Sequence, residues 1–172
     1  MKRLFAFMSI VVFLSCSVDD DNVSNTENIE GVWEKTNEID SEDFPDLEGE
    51  NYEYVLQFKF ISDHSFESYS FIRNTETDSI AGYNSKFHGN FSTEGNRMEL
   101  LYDQYNSNTE ASDFEDHDEL ILVQENVEWS FNFLVNQDEL LFDFDPCGPL
   151  ANCVGELELK RVLNKKLSIS DI

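Results

Sequence analysis

From Ile29 to Leu163 the apolar residues recur at every second position, not every third or fourth, which marks strands with one face in a core and the other in water. Tyr52, Tyr54, Leu56, Phe58 and Phe60 share one side of such a strand, opposite Glu53, Gln57 and Lys59. The same alternation sets Phe87, Gly89 and Phe91 against Lys86, His88 and Asn90, and Met98, Leu100 and Tyr102 against Arg97, Glu99 and Asp103. It returns in Trp129, Phe131 and Phe133, in Leu140, Phe142 and Phe144, and in Leu157, Leu159 and Arg161. The pattern predicts eight strands. Leu120 and Leu122 in the run DELILVQ either form a ninth or open the strand that carries Trp129.

Ser62 to Ser65, Glu94 to Asn96 and Asn136 to Asp138 are short, polar and made of turn residues, so neighbouring strands are expected to pair as hairpins. Three segments are longer and less regular: Ile39 to Asn51, Asn74 to Gly82 and Gln104 to His117. An antiparallel meander with one apolar face per strand buries that face and loses its edges by curling into a closed barrel. The expected fold is therefore all-β, an antiparallel up-and-down meander closed into a barrel over residues 29–163, with a two-layer sandwich as the competing architecture. Fifteen phenylalanines supply either interior.

Ahead of this region Lys2 and Arg3 precede an apolar run from Leu4 to Leu14, and Leu14-Ser15-Cys16 follows. The run is too short to span a bilayer, which takes about 20 apolar residues, and has the order of a secretion signal. It resembles a bacterial lipoprotein signal, in which the cysteine after a leucine and a small residue receives diacylglycerol and becomes the first mature residue. On that resemblance residues 1–15 are a signal peptide, Cys16 is the lipidation site, and the protein is held in the outer membrane by a lipid. An ordinary secretory leader with an incidental cysteine is the plainer alternative. Residues 16–28 have nothing to bury and read as a flexible acidic linker, and residues 164–172 as a tail. A serine and an aspartate cluster just after Cys16 also resemble the export signal that carries some lipoproteins to the cell surface.

Loss of residues 1–15 from the 172 leaves 157, the size of one domain, and takes the net charge from −25 to −27. Such a surface repels phosphate backbones, so no nucleic-acid partner is expected. With Cys16 assigned to the lipid, Cys147 and Cys153 remain as an expected disulfide in an oxidising compartment; free thiols or metal ligands are the alternatives.

Gly31-Val32-Trp33 opens the first strand and Arg161 lies near the end of the last. Gly-x-Trp with a late arginine resembles the lipocalin pattern, and the segments GNFSTEGNRMELLYD and WSFNFLVNQDELLFDF are similar to hairpins of bacterial lipocalin-like lipoproteins. The resemblance covers residues 29–163. It implies that Gly31, Trp33 and Arg161 close the barrel floor, with the guanidinium packed on the indole. The chain departs from the family in having no amphipathic helix after its last strand, which leaves open whether the barrel holds a cavity.

No nucleophile elbow, phosphate-cradling glycine loop or His-Glu-x-x-His pair occurs. His64, His88 and His117 read as solvated surface residues, and the acidic stretches Asp113 to Glu119 and Asp143 to Asp145 lack the spacing of a calcium loop. The expectation is a non-enzymatic protein without metal or cofactor that binds a small apolar or amphipathic ligand. Inward side chains toward the open end would line the site: Tyr54, Leu56, Phe58, Phe87, Phe91, Met98, Leu100, Phe131 and Phe142. The alternative is a solid barrel that serves as a structural or protein-interaction module, its protein partner unspecified.

Overall fold

The period-two pattern folds into the architecture it requires. A computed structural model of the chain describes residues 29–39, 51–107, 114–144 and 155–163. Its strands are β1 (Gly31–Glu38), β2 (Tyr52–Phe60), β3 (Ser65–Asn74), β4 (Ile80–Glu94), β5 (Arg97–Asn106), β6 (Ile121–Asn136), β7 (Glu139–Asp143) and β8 (Glu156–Arg161). Each pairs antiparallel with the next, and β8 returns to β1 to close the barrel, so the fold is the meander and not the sandwich. The run DELILVQ belongs to β6, and no ninth strand exists among the described residues. Two connections are shorter than the sequence suggests: β4 reaches back to Ile80, and β5 extends to Asn106.

Up-and-down order sorts the connections by parity. The three short turns, the start of β1 and the end of β8 lie at one end, and the longer connections lie at the other. The first end is closed by packing: Trp33, Phe58, Phe60, Phe66, Phe91, Met98, Phe131, Phe133, Leu140 and Phe142 form one buried cluster with Ile29 and Leu159. Rings meet mostly edge to face, as Phe58 on Phe142 at 5.3 Å and Phe60 on Phe91 at 5.1 Å, the arrangement that aromatic quadrupoles favour.

Trp33 is fully buried at this floor, and its indole N–H donates to the Ile29 carbonyl at 2.7 Å. The Arg161 guanidinium lies over the indole face, 4.1 Å from the ring centroid, and donates to the Glu30 carbonyl at 2.8 Å. Gly31 makes this approach feasible: its φ is +127°, and a Cβ there would come within 2.9 Å of Arg161 Nη1. Glycine, tryptophan and arginine thus act as one unit, with the glycine leaving room for the cation that covers the ring.

Simple inside–outside alternation fails on β2 and β3. Val55, Gln57, Phe71 and Arg73 lie on the outer face by register, yet each is under 10% exposed. A charged cluster accounts for the polar pair. Arg73 bridges Glu34 at 3.0 Å and Glu53 at 2.7 Å, Gln57 donates to Glu34 at 2.8 Å, and the guanidinium lies 5.8 Å from the Phe71 ring. Burial alone would lower the Arg73 pKa, but hydrogen bonds and charge from Glu34 and Glu53 hold it above the ordinary arginine value.

Beside this cluster the outer-face residues Tyr69 and Tyr83 meet at 5.9 Å, and His117 sits over both at 5.8 and 5.4 Å. His117 is therefore half-buried against aromatic rings and not a solvated loop residue; the bridge between Tyr83 and Glu115 draws its segment onto the wall. Burial, with the charge of Glu67 and the neighbouring Tyr83 adding to it, pushes the Tyr69 phenol up to about 12. An acid whose folded pKa is raised contributes stability below its unfolded value, near 10, and loses it as pH climbs toward 12. Denaturant midpoints measured across that interval should fall for the native chain, and Tyr69→Phe should flatten the decline.

Candidate functional site

Above the packed floor the interior changes character, because smaller and more polar side chains replace the phenylalanines. On β3 and β4 the inward positions above the floor include Ser68, Ser70 and Ser85, of which Ser70 and Ser85 share a hydrogen bond of 2.5 Å while the buried Ser68 hydroxyl has no partner among the described residues. Leu56, Phe87 and Tyr102 form half-buried walls packed on the core below, and Gln104 donates to Asn106 at 3.2 Å beside them. Register also turns Lys35 inward, opposite Leu56.

Trp129 marks the transition. It shares the inner face with Phe131 and stands across from Leu100, yet it remains 40% exposed. Its ring stacks on Phe144 at 4.6 Å with an interplanar angle of 2°. Among the described residues β7 pairs with β6 only from Asn132 to Asn136, so Trp129 lies beyond the paired stretch. At the opposite rim Phe114 packs against Gly82, whose missing Cβ would lie 2.9 Å from the Phe114 Cβ, and stands edge-on to Tyr54 at 6.3 Å.

The nine candidate ligand-binding residues divide by level. Phe58, Phe91, Met98, Leu100, Phe131 and Phe142 belong to the buried cluster, where they touch one another. Tyr54, Leu56 and Phe87 stand higher and half-buried, around the open part of the interior. Sequence alternation gives the inward direction but not the depth along the barrel. Tyr102 and Trp129, which carry the same alternation, were absent from the candidate set and lie at the mouth. The segments holding Cys16, Cys147 and Cys153, the signal, the linker and the tail lie outside the described residues, as do Asp113 and Asp145 at the ends of the two acidic stretches. Among the described residues no group of three histidine, cysteine, aspartate or glutamate side chains is placed to hold a metal ion.

A groove of about 400 Å³ lies on the outside of the wall, across β3, β4 and β5. Comparison of the chain with protein-family models, with curated proteins and with solved structures finds no match.

Proposed function

We propose that the chain is a lipid-anchored, lipocalin-like protein of the outer membrane that binds a small apolar or amphipathic molecule in the open half of its barrel without altering it. The observation behind this reading is Trp129, an inward indole left 40% exposed above a floor of packed phenylalanines. Partly exposed inward aromatics over a packed base would give such a molecule apolar contact, as the walls of small-molecule pockets do. Leu56, Phe87, Tyr102 and Trp129 offer the apolar contacts, and Lys35 a polar one.

Titration of the purified chain with the neutral fluorophore N-phenyl-1-naphthylamine tests this. A saturable rise in emission is expected, accompanied by quenching of Trp129 and not of the buried Trp33, and Trp129→Ala should weaken binding by about tenfold, the loss of roughly 1.4 kcal/mol. Absence of saturable binding at micromolar protein would remove the ligand reading. Intact-mass measurement of protein from its native host tests the anchor separately: a diacylated Cys16 at the N-terminus is expected, and an unmodified chain that retains Met1 would refute it.

A second reading rests on Ile121, Leu122 and Val123, consecutive residues at the start of β6 that are 44, 43 and 50% exposed. Apolar side chains left exposed together at one strand end suit a protein partner. In that case replacing all three with threonine abolishes partner capture and leaves fluorophore binding intact.

A further inference from the structure

On the reading that the open half of the barrel holds a ligand, we propose that this ligand is an anionic amphiphile, an apolar chain ending in a carboxylate, whose charge pairs with Lys35. The barrel sorts its charges by face. Acidic residues outnumber basic ones 36 to 11, yet every acid with a cross-strand partner stands on the outer face, in line with Glu34, Glu53 and Glu67. Among the paired residues two cations point the other way: Arg161, which lies over the Trp33 ring at the floor, and Lys35. Lys35 sits on an inner rung that runs through the cross-strand partners Leu56, Ser70, Ser85 and Asn106. No acid stands on this rung, nor on the inner rungs to either side, from Trp33 to Gln104 and from Asn37 to Gly82.

The neutral polar groups of these rungs answer one another. Ser70 and Ser85 share their hydrogen bond, and Gln104 donates to Asn106 at 3.2 Å. The Lys35 ammonium is left over. Half-buried, it has no hydrogen-bond or ion-pair partner among the described residues, whereas Lys59, Arg73 and Arg161 each reach a carboxylate. A protonated amine entering this half meets a like charge and no inward carboxylate. An oxyanion gains a charge-assisted hydrogen bond in surroundings drier than bulk water. One ammonium matches the single charge of a carboxylate better than the charge of about −1.5 to −2 on a phosphate monoester. The acids that would repel an anion lie behind the sheet and in water, where physiological salt screens them over about 8 Å, and Lys35 lies on the ligand's own side. For the apolar tail there are Leu56, beside Lys35 in register, and Phe87 and Trp129.

The test is displacement of N-phenyl-1-naphthylamine from the full chain by dodecanoate, dodecanol and dodecylammonium, three probes with one tail and different charges. Dodecanoate should compete about tenfold better than dodecanol, and dodecylammonium worse than either. Lys35→Met keeps the apolar stem without the charge and should bring dodecanoate and dodecanol within about twofold of each other, while Lys35→Arg should retain the preference. Lys35→Gln gives the same reading should the methionine variant fail to fold. Lys160→Met, exposed on the outer face of β8, removes the same charge and should leave the ranking unchanged. Each result is a ratio between probes on one protein, so a change in stability does not imitate it. Dodecanoate no better than dodecanol on the native chain, a preference that survives in Lys35→Met and Lys35→Gln, or an equal loss in Lys160→Met would each overturn the proposal while leaving ligand binding in place. Failure of the fluorophore to bind saturably would overturn the ligand reading and this proposal together.

Discussion

Replacing Gly89 with alanine is expected to abolish the cooperative thermal transition, a severe effect for a single added methyl group. A Cβ at position 89 would overlap the carbonyl oxygen of Leu101 and lie 2.7 Å from the Tyr102 Cα, which are backbone atoms that no rotamer change can move. β4 and β5 are paired continuously through this point, from Ser85 with Asn106 to Glu94 with Arg97, so relief requires displacing one strand from the other. Steric insertions of this kind that shift backbone belong to the severe tail of point mutations, above about 4 kcal/mol, against a total stability of about 5–15 kcal/mol. Gly155→Ala is the matched control: its Cβ would meet nothing within 4 Å, and its melting temperature should stay within experimental error. A cooperative transition in Gly89→Ala near the native temperature would show that the two strands are not held as closely as the coordinates place them.

Trp33→Ala should come second, with a loss of about 3–5 kcal/mol from the transfer and cavity terms of a fully buried aromatic. Two further interactions go with the ring. The Ile29 carbonyl loses its indole donor, and Arg161 loses the surface on which it lies. Arg161→Met separates the contributions, since it keeps an apolar stem over the indole while removing the charge, at about 0.5–2 kcal/mol for the cation–π contact. A double-mutant cycle in urea should give a coupling of about 1 kcal/mol between positions 33 and 161. Additive losses would mean that the guanidinium matters for its bond to the Glu30 carbonyl and not for its contact with the ring.

How much of this was visible in the sequence differs from part to part, for physical reasons. Strand positions and inward faces were legible because burial in a sheet repeats every second residue, as Phe58, Phe91 and Phe142 demonstrate. The ends of β4 and β5 were less so, since Ile80 to Ser85 and Gln104 to Asn106 mix small and polar residues on both faces. Depth along the barrel was not legible. Leu100 and Tyr102 alternate identically in sequence, and only closure puts one in the core and the other near the mouth. The buried outer residues Val55 and Phe71 were hidden for a related cause: their cover includes Arg73, which belongs by pattern to the wet side and is fixed there by acids from two other strands.

The seam between the first and last strands has a consequence for biosynthesis. β1 is paired with β2 along its whole length, but with β8 through Trp33 and Arg161 and the adjoining Glu34 and Lys160 alone. Arg161 stands 131 positions beyond the Glu30 carbonyl it caps. A nascent polypeptide emerging amino end first cannot cover its indole until the final segment has appeared. Throughout synthesis the unfinished sheet must keep its greasy side from self-association by other means, and a single late ratchet, the docking of β8, converts a sticky ribbon into a sealed ring.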